Sequence, residues 1–482
     1  MKKIRVRIGP SPSGDPHVGT AYISLFNYIF AKKYNGSFVI RIEDTDQKRS
    51  NKSSEMAILD SLKWLGLQWD EGPDIGGEYG PYRQSERIDI YKKYIIKLVE
   101  QNSAYWCSCT PERLAYLKEY QQKNGQSSKY DGYCLKKTKS QVKKEINQSI
   151  YGGVVRLKIK ANKTIKFFDM LRGDIVINSK EIDDQILLKS DGFPTYHLAN
   201  VVDDHLMKIS HVFRGEEWIT STPKHIILYQ ELGWDPPSYC HLPLLRDKNK
   251  NKLSKRNLSV SIDFYRKNGF LPETLINLLG LNAYSLKDES EIFSLQEFIN
   301  NFSLKSIPLG GPVFDIEKLK WLNGIYLREK YSDDEWIKHI YNNLFNFSYM
   351  KKIVPLIKNR VETFDEFLKY SNFFFKTEIL LKDINNYIIN GYSINESISI
   401  YELIIEQLAK INLFSELEIK KVLQNICKEK KIKNKDLFIP IRIGIMGNVN
   451  TPPLFTTISV LGKTRSCSRL NAVILFLKKN NV

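Results

Sequence analysis

Two short stretches hold the side chains best suited to chemistry on a phosphorylated substrate. The first is PSPSGDPHVGT, residues 10–20, in which His17 lies among prolines and glycines. Proline and glycine fit an ordinary surface turn, and a histidine there fits simple packing. The same histidine at a helix start would also meet an anion, because the N-terminal amides of a helix attract negative charge. The stretch is therefore a candidate nucleotide site.

The second stretch is LLRDKNKNKLSKR, residues 244–256, which ends in the segment KLSKR. Lys248 and Lys250 fit a solvated loop, the usual reading of a charge run. Lys252 and Lys255 flank a serine and an apolar residue, so they are candidates to neutralise phosphate charge. Neither stretch has the GxGxxG or GxxxxGK[ST] spacing, so no standard dinucleotide or phosphate loop is predicted.

The elements around the first stretch predict a strand, a helix and a second strand. IRVRIG at residues 4–9 alternates apolar and basic residues, as a strand does, and FVIRI at residues 38–42 is typical of another strand. Between them, apolar residues recur at helical spacing over residues 22–30. The Pro/Gly stretch thus joins a strand end to a helix start, which is where open α/β sheets bind ligands.

In this order, the two stretches resemble the HIGH and KMSKS signatures of class I aminoacyl-tRNA synthetases. His17-Val18-Gly19-Thr20 stands in the first place and Lys252-Leu253-Ser254-Lys255-Arg256 in the second. Further stretches are similar to bacterial glutamyl-tRNA synthetases: RIEDTD at 41–46, GPYRQSER at 80–87, DGFPTYHLANVVDDHLM at 191–207, FRGEEW at 213–218 and PLGGPVFDIEKLKWLNG at 308–324. The resemblance covers residues 1–330 and is much looser afterwards.

The resemblance implies that the α-carboxylate of glutamate attacks the α-phosphate of ATP, which arrives with Mg²⁺, and that the glutamyl group then moves to the terminal adenosine of tRNA(Glu). His17, Lys252 and Lys255 would be the catalytic residues. The residues implied for ATP binding are Pro10, His17, Gly19, Thr20, Glu217, Leu245 and Lys255. Those implied for glutamate binding are Arg7, Ser11, Glu43, Tyr196, Asn200 and Arg214. Without the resemblance, Glu43 fits an ordinary capping cluster.

The predicted fold is α/β, with a Rossmann-type class I synthetase core, an inserted acceptor-binding domain and an all-α anticodon-binding region. The predicted boundaries are 1–104 and 191–250 for the two parts of the catalytic domain, 105–190 for the insertion, 251–330 for the KMSKS loop and stem-contact domain, and 331–482 for the helical region. Residues 331–482 hold 22 Lys+Arg against 15 Asp+Glu, which suits RNA, although solvated helix faces would have the same composition. Helical periodicity there disfavours the β-barrels of the related glutaminyl enzymes. Arg360 lies near where the family reads an anticodon base.

Two clusters raise the question of a metal. His197, Asp203, Asp204 and His205 fit a metal-dependent phosphoesterase, but their spacing matches no common ligand motif. Some relatives bind zinc through Cys-x-Cys and a later Cys-x-His, whereas this chain has Cys107, Cys109 and Cys134, with Lys136 in place of the histidine. Tyr130 is a substitute fourth ligand, and a relic without metal is the alternative. We therefore assign no metal-binding residue from the sequence, and whether the chain holds a structural zinc stays an open question at this point.

Composition is consistent with a folded chain that binds a polyanion. Of 482 residues, 42% are hydrophobic, and the net charge of +18 suits nucleic acid, although codon bias alone would produce the same excess of lysine. No apolar run is long enough to span a bilayer, and the N-terminus lacks a signal-peptide core. We expect a cytoplasmic monomer without a membrane partner and with reduced cysteines. The alternatives are a ligase that charges glutamine and a non-enzymatic RNA-binding regulator.

Overall fold

The computed structural model describes residues 3–251, 253, 260–281 and 291–480. They form two compact units, the first built mainly from residues up to 323 and the second mainly from residue 324 onward. The strands are β1 Arg5–Ile8, β2 Ser37–Ile40, β3 Ala104–Cys107, β4 Val154–Leu157, β5 Thr164–Asp169, β6 Gly173–Asn178, β7 Ile186–Leu188, β8 His211–Gly215 and β9 Ser238–Leu242.

The helices are interspersed with these strands up to β9 and follow one another after it. They are α1 Val18–Lys33, α2 Lys52–Trp64, α3 Ile88–Glu100, α4 Pro111–Lys123, α5 Lys139–Gln148, α6 Tyr196–Leu206, α7 Thr222–Leu232, α8 Ile262–Lys267, α9 Pro272–Leu281, α10 Leu295–Asn301, α11 Ile316–Glu329, α12 Asp333–His339, α13 Phe347–Ile357, α14 Glu366–Phe375, α15 Ile394–Ala409, α16 Glu416–Lys430, α17 Asn434–Met446, α18 Leu454–Leu461 and α19 Lys463–Lys479.

The catalytic side of the first unit is built from parallel strand pairs. β1 pairs with β2 in parallel, with Val6 opposite Phe38, and α1 supplies the crossover between them. β8 pairs in parallel with β9, which in turn meets β5. Parallel strands bring their carboxyl ends to one edge, so the loops after β1, β2 and β8 are brought together there. A separate antiparallel sheet, β3-β4-β7, lies in the predicted insertion.

Helix α1 begins where the sequence pattern predicts. His17 has extended backbone angles and caps the helix, and Val18, Leu25 and Phe26 are fully buried along it. Lys32 and Lys33 occupy the last turn, where cations interact favourably with the helix dipole. A buried apolar face thus fixes the helix against the sheet and holds its N-terminus beside the end of β1.

The second unit is helical throughout its described residues, as its apolar periodicity predicts. Its core includes the fully buried side chains of Ile353, Tyr401, Leu423, Ile441 and Leu470. LIIEQLA lies in α15 and ELEIKK in α16, both with their charged positions turned outward. Across the described part of the chain, no helix combines the length and apolar character needed to cross a membrane.

Candidate active site

The loop from β1 to α1 forms a corner capped by His17. Its Nδ1 accepts a hydrogen bond of 2.8 Å from the Gly19 backbone amide. An imidazole whose Nδ1 is an acceptor carries its proton on Nε2, and Nε2 is therefore a donor. A Cβ at position 19 would lie 3.0 Å from that Nδ1, so glycine gives the capping ring its room.

The described residues that follow KLSKR lie against this corner, because the Ile262 amide donates to the Pro16 carbonyl at 3.0 Å. Within KLSKR, the Leu253 amide donates to the Leu245 carbonyl at 3.3 Å. His17 and Ser261 also form an isolated antiparallel bridge. Lys252 and Lys255 themselves lie outside the described residues, and their catalytic roles stay a prediction.

Glu43 lies beyond β2 and supplies a largely buried carboxylate, whose side chain is 11% exposed. Its Oε1 accepts hydrogen bonds from Asn200 Nδ2 at 2.9 Å and from Arg41 Nη2 at 3.0 Å. Burial raises the pKa of Glu43, although Arg41 and Arg7 oppose the shift. A Cβ at Gly9 would overlap Oε1 and lie 2.5 Å from Cδ, so only glycine at the end of β1 leaves space for the carboxylate.

Arg7 projects from β1 into the same hydrogen-bonded set. Its Nε and Nη2 each donate to the Asp204 carboxylate at 3.1 Å, and Nη2 also donates to Asn200 Oδ1 at 3.0 Å. Arg41 Nη1 donates to the same carboxylate at 2.7 Å. Burial opposes ionisation of Asp204, but Arg7 and Arg41 outweigh it and keep its pKa below the usual value. The arrangement leaves Nη1 of Arg7 available to a ligand.

Arg214 at the end of β8 is held by uncharged side chains. Nε donates to His241 Nε2 at 3.0 Å, and Nη2 donates to Thr222 Oγ1 at 2.7 Å. Nη1 is shared between Tyr196 Oη at 3.2 Å and His225 Nδ1 at 3.3 Å. The guanidinium is nearly buried, at 5% residue exposure.

The structure thus brings five of the six predicted glutamate-binding residues into two adjoining groups. Arg7, Asn200 and Glu43 form one, and Arg214 with Tyr196 forms the other. Burial raises the pKa of Tyr196, and the charges of both groups, Arg214 in one and Glu43 and Arg7 in the other, act on it. Ser11, the sixth, lies exposed in the following loop.

The remaining described residues that were predicted to bind the nucleotide differ in their exposure. Pro10 is buried and its carbonyl accepts from the Glu43 amide at 3.0 Å. Thr20 lies half-buried in the first turn of α1, and Leu245 is buried. Glu217 is exposed, and a Cβ at Gly215 would overlap its carboxylate.

The aspartates and histidines of residues 197–205 are engaged by other side chains of the described structure. Asp203 accepts from Arg87 Nε at 2.7 Å and from Tyr91 Oη at 2.7 Å. His205 stacks on Trp234 with ring centroids 3.8 Å apart. Asp204 is held by arginines, as described above. Within the described residues, the candidate metal-binding group is instead Cys107, Cys109 and Cys134.

Those three thiols converge around Tyr130. Their sulfur atoms lie within 4.8 Å of one another, with 3.6 Å between Cys109 and Cys134. Tyr130 Oη lies 3.5 Å from Cys107 Sγ and 3.4 Å from Cys109 Sγ. In a tetrahedral zinc site, sulfur atoms bonded at about 2.3 Å are about 3.8 Å apart. The separation of Cys109 and Cys134 is close to this spacing.

Comparison with known proteins decides the family. Residues 3–321 match the family described as tRNA synthetases class I (E and Q), catalytic domain, and residues 320–474 match an anticodon binding domain. A glutamate–tRNA ligase from Marinomonas sp. is 45% identical over 98% of this chain and 96% of its own length. The chain belongs to the glutamate–tRNA ligase family. Another family member, from Pseudoalteromonas translucida, is 44% identical over 98% of this chain and 96% of its own.

Solved structures agree with this family. The glutamate tRNA ligase from Elizabethkingia meningosepticum, determined with its amino acid, is 32% identical with a TM-score of 0.66, covering 98% of this chain and 100% of that one. The predicted family, fold class and ATP-dependent ligase function are confirmed by these matches. The residue assignments within the site stay predictions.

Several residues that build the site were not among those predicted. Gly9, Arg41, Thr222, His225 and His241 all contact a predicted ligand-binding side chain. Arg41 begins RIEDTD directly after the apolar run of residues 38–40, and its side chain is fully buried. The others carry no local signal, because their partners are distant in sequence.

Proposed function

We propose that the chain uses ATP to join glutamate to the terminal adenosine of tRNA(Glu). The observation that carries this proposal is a largely buried site that holds a carboxylate and two arginines. Glu43 suits the ammonium group of an amino acid, whereas Arg7 and Arg214 suit a side-chain carboxylate. Arginine binds carboxylates through paired N–H donors, so this arrangement complements a dicarboxylic amino acid.

The first step requires positioning and charge neutralisation and no protein nucleophile. Held at both ends, glutamate presents its α-carboxylate to the α-phosphorus of ATP, and pyrophosphate leaves with the electrons of the broken P–O bond. His17 Nε2–H donates to the phosphate region, and Gly19 lets adenosine approach the backbone. Lys255, aided by Lys252, neutralises charge on the departing pyrophosphate. Mg²⁺ bound to ATP supplies further neutralisation.

In the second step, a ribose hydroxyl of the tRNA attacks the glutamyl carbonyl. A C–O bond forms to the ribose, the mixed anhydride bond breaks, and AMP leaves. Arg7, Arg214 and Glu43 keep the amino acid in place for both steps. The same contacts favour glutamate over glutamine, because an amide would leave a buried cation without a negative partner. The glutamine-charging alternative is disfavoured for that reason.

The RNA contacts are assigned to two regions. We infer that residues 105–190 meet the acceptor stem, because Trp106 is exposed beside a cavity of about 560 Å³ that is also lined by Lys139, Lys143 and Lys158. Basic groups next to an exposed ring suit an RNA backbone and an unstacked base. We assign the anticodon arm to residues 331–482, which overlap the matched anticodon binding domain.

We also propose that Cys107, Cys109, Cys134 and Tyr130 hold one structural Zn²⁺. Their converging donor atoms support the proposal, and the ion would tie β3 to the turn that follows α4. Metal analysis of the purified protein should find about one zinc per chain. Cys134→Ser should lose the zinc and lower the melting temperature, whereas Cys427→Ser, a buried thiol in the other unit, should retain it. Wild-type protein that is purified without zinc, and whose melting temperature does not change when a chelator is added, would refute this site.

We propose further that the enzyme works as a monomer in the cytoplasm, where tRNA, ATP and glutamate meet. Light scattering of the purified protein should give the 56.1 kDa of one chain. A stable dimer at micromolar concentration would contradict the first part. Recovery of the native protein with membranes or secreted material would contradict the second.

The function itself is tested with the purified chain, ATP, Mg²⁺, labelled glutamate and a tRNA(Glu) transcript. We expect acid-precipitable glutamate, with one AMP and one pyrophosphate formed per ester. Periodate-oxidised tRNA, which lacks the ribose diol, is the control and should accept nothing. A chain that forms no ester, or that forms it without ATP, would overturn the proposal.

A further inference from the structure

The two arginines predicted to bind the glutamate side chain differ in their surroundings. Arg7 is paired with the Asp204 carboxylate through two hydrogen bonds. Arg214 has no carboxylate within ion-pair distance among the described residues. Its hydrogen-bond acceptors there are the uncharged side chains of His241, Thr222, Tyr196 and His225.

The charges of the site support this difference. The cations Arg7 and Arg41 face the anions Asp204 and Glu43, so those four balance. Arg214, at 5% exposure, has no directly bonded counter-ion among the described residues, and the Asp169 carboxylate is separated from it by His241. A buried cation that no carboxylate contacts favours a ligand that brings a negative charge.

His241 can accept from Arg214 only in one tautomer. Its Nδ1 lies 2.6 Å from Asp169 Oδ2, and its Nε2 lies 3.0 Å from Arg214 Nε. The carboxylate accepts the Nδ1 proton, which leaves Nε2 free of a proton and able to accept. Asp169 is itself fixed, because Oδ1 accepts from the amides of Leu171 and Arg172 at 3.0 Å.

The groups around this pair favour the uncharged ring. Burial lowers the pKa of His241, with Arg214 and Arg172 acting in the same direction and Asp169 opposing them. Burial also lowers the pKa of His225 well below its usual value and that of His197 to about 4. Arg214 is therefore surrounded by neutral acceptors at physiological pH.

We infer that Asp169 and His241 are positioning residues that hold Arg214 through a neutral relay, so that its charge stays available to select a carboxylate side chain. Asp169 fixes the tautomer of His241, and His241 fixes the plane of the guanidinium. A direct carboxylate partner would fix the plane equally well but would cancel the charge. The inference rests on the proposed function, because it takes glutamate as the ligand of Arg214.

The relay is tested with Asp169→Asn, His241→Gln and the double variant, each assayed for glutamate and ATP KM and for melting temperature. An amide in place of the carboxylate donates to Nδ1 and forces the proton onto Nε2, where it opposes the Arg214 N–H. Asp169→Asn should raise the glutamate KM by about tenfold or more, with the ATP KM unchanged. His241→Gln offers an oxygen near the Nε2 position and should stay within about threefold of wild type.

The double variant separates positioning from folding. The glutamine acceptor does not depend on a tautomer, so the double variant should match the glutamate KM of His241→Gln while remaining as destabilised as Asp169→Asn. A double variant whose KM is as high as that of Asp169→Asn would overturn the relay. A histidine ¹⁵N spectrum of the wild-type protein that places the His241 proton on Nε2 would also overturn the relay. This measurement uses the wild-type protein, and His241→Gln is needed only to assign the His241 signal.

The role of the Arg214 charge is tested by substitutions at Thr222, whose Oγ1 accepts a hydrogen bond from Arg214 Nη2 at 2.7 Å. Thr222→Asp places a carboxylate beside the guanidinium, and Thr222→Asn is the uncharged control of the same size. The ratio of kcat/KM for glutamate over glutamine should fall at least about tenfold further in Thr222→Asp than in Thr222→Asn. Equal ratios in the two variants would overturn the inference while leaving glutamylation by wild type, and so the proposed function, intact.

Discussion

Replacing Gly9 by alanine should weaken glutamate binding without removing any functional group. The added Cβ would overlap Glu43 Oε1 and lie 2.5 Å from Cδ. The carboxylate must then rotate away from Asn200 and Arg41, which now donate to it at 2.9 and 3.0 Å. Because Glu43 is the group that we assign to the substrate ammonium, that partner is lost.

The size of the effect follows from the contact that disappears. A hydrogen bond to a charged group contributes about 1.5–3 kcal/mol, and each 1.4 kcal/mol corresponds to a factor of ten. The glutamate KM should rise about 10- to 150-fold, with the ATP KM unchanged. The free energy of unfolding should fall by only about 1–3 kcal/mol, because the displaced atom is the end of a flexible side chain.

The assay is steady-state glutamylation of tRNA(Glu) at saturating ATP, beside thermal melting. Gly310→Ala is the control, since a Cβ there meets nothing within 4 Å. Glu43→Gln serves as comparison, because it removes the charge without crowding. A Gly9→Ala enzyme with the wild-type glutamate KM would refute the steric argument, and a normal KM in both variants would refute the role of Glu43.

Three further predictions follow from the site and the basic regions. Asp204→Asn leaves Arg7 and Arg41 without a shared counter-ion and should lower the free energy of unfolding by about 3–5 kcal/mol. Because the pKa of Asp204 is depressed, wild type should lose this stabilisation only as the pH falls below about 4. Melting curves from pH 3 to 7 should show that loss in wild type and not in the variant. Lys255→Ala should slow adenylate formation by ~10²-fold in single-turnover assays at an unchanged melting temperature, and an unchanged rate would make KLSKR a solvated loop. Alanine at the exposed lysines of residues 428–435 should flatten the dependence of log tRNA affinity on log salt, and an identical slope would exclude these lysines as phosphate contacts.

Much of the framework could be predicted from local patterns. Alternating apolar residues identify β1, and helical spacing after His17 identifies α1, because burial of one face imposes these periods. The helical second unit follows in the same way. Arg7, Glu43 and Asn200 were expected through resemblance, and the structure joins them by direct hydrogen bonds.

The supporting contacts could not be predicted, because they depend on tertiary packing between distant segments. Asp169 and His241 are 72 positions apart, and their pairing exists only because β5 and β9 are neighbours. Gly9 could not be identified from a local backbone requirement, because what restricts this position to glycine is the nearby Glu43 carboxylate. The convergence of Tyr130 with three thiols likewise depends on how the chain returns after α4.

The central claim is that this site selects an amino acid by the negative charge of its side chain. The most direct test measures kcat/KM for glutamate and for glutamine in parallel, with the wild-type chain and one preparation of tRNA(Glu). Glutamate should be preferred by at least about 10³-fold, because glutamine would leave Arg214 without a negative partner in a buried site. Equal values, or a preference for glutamine, would contradict the account.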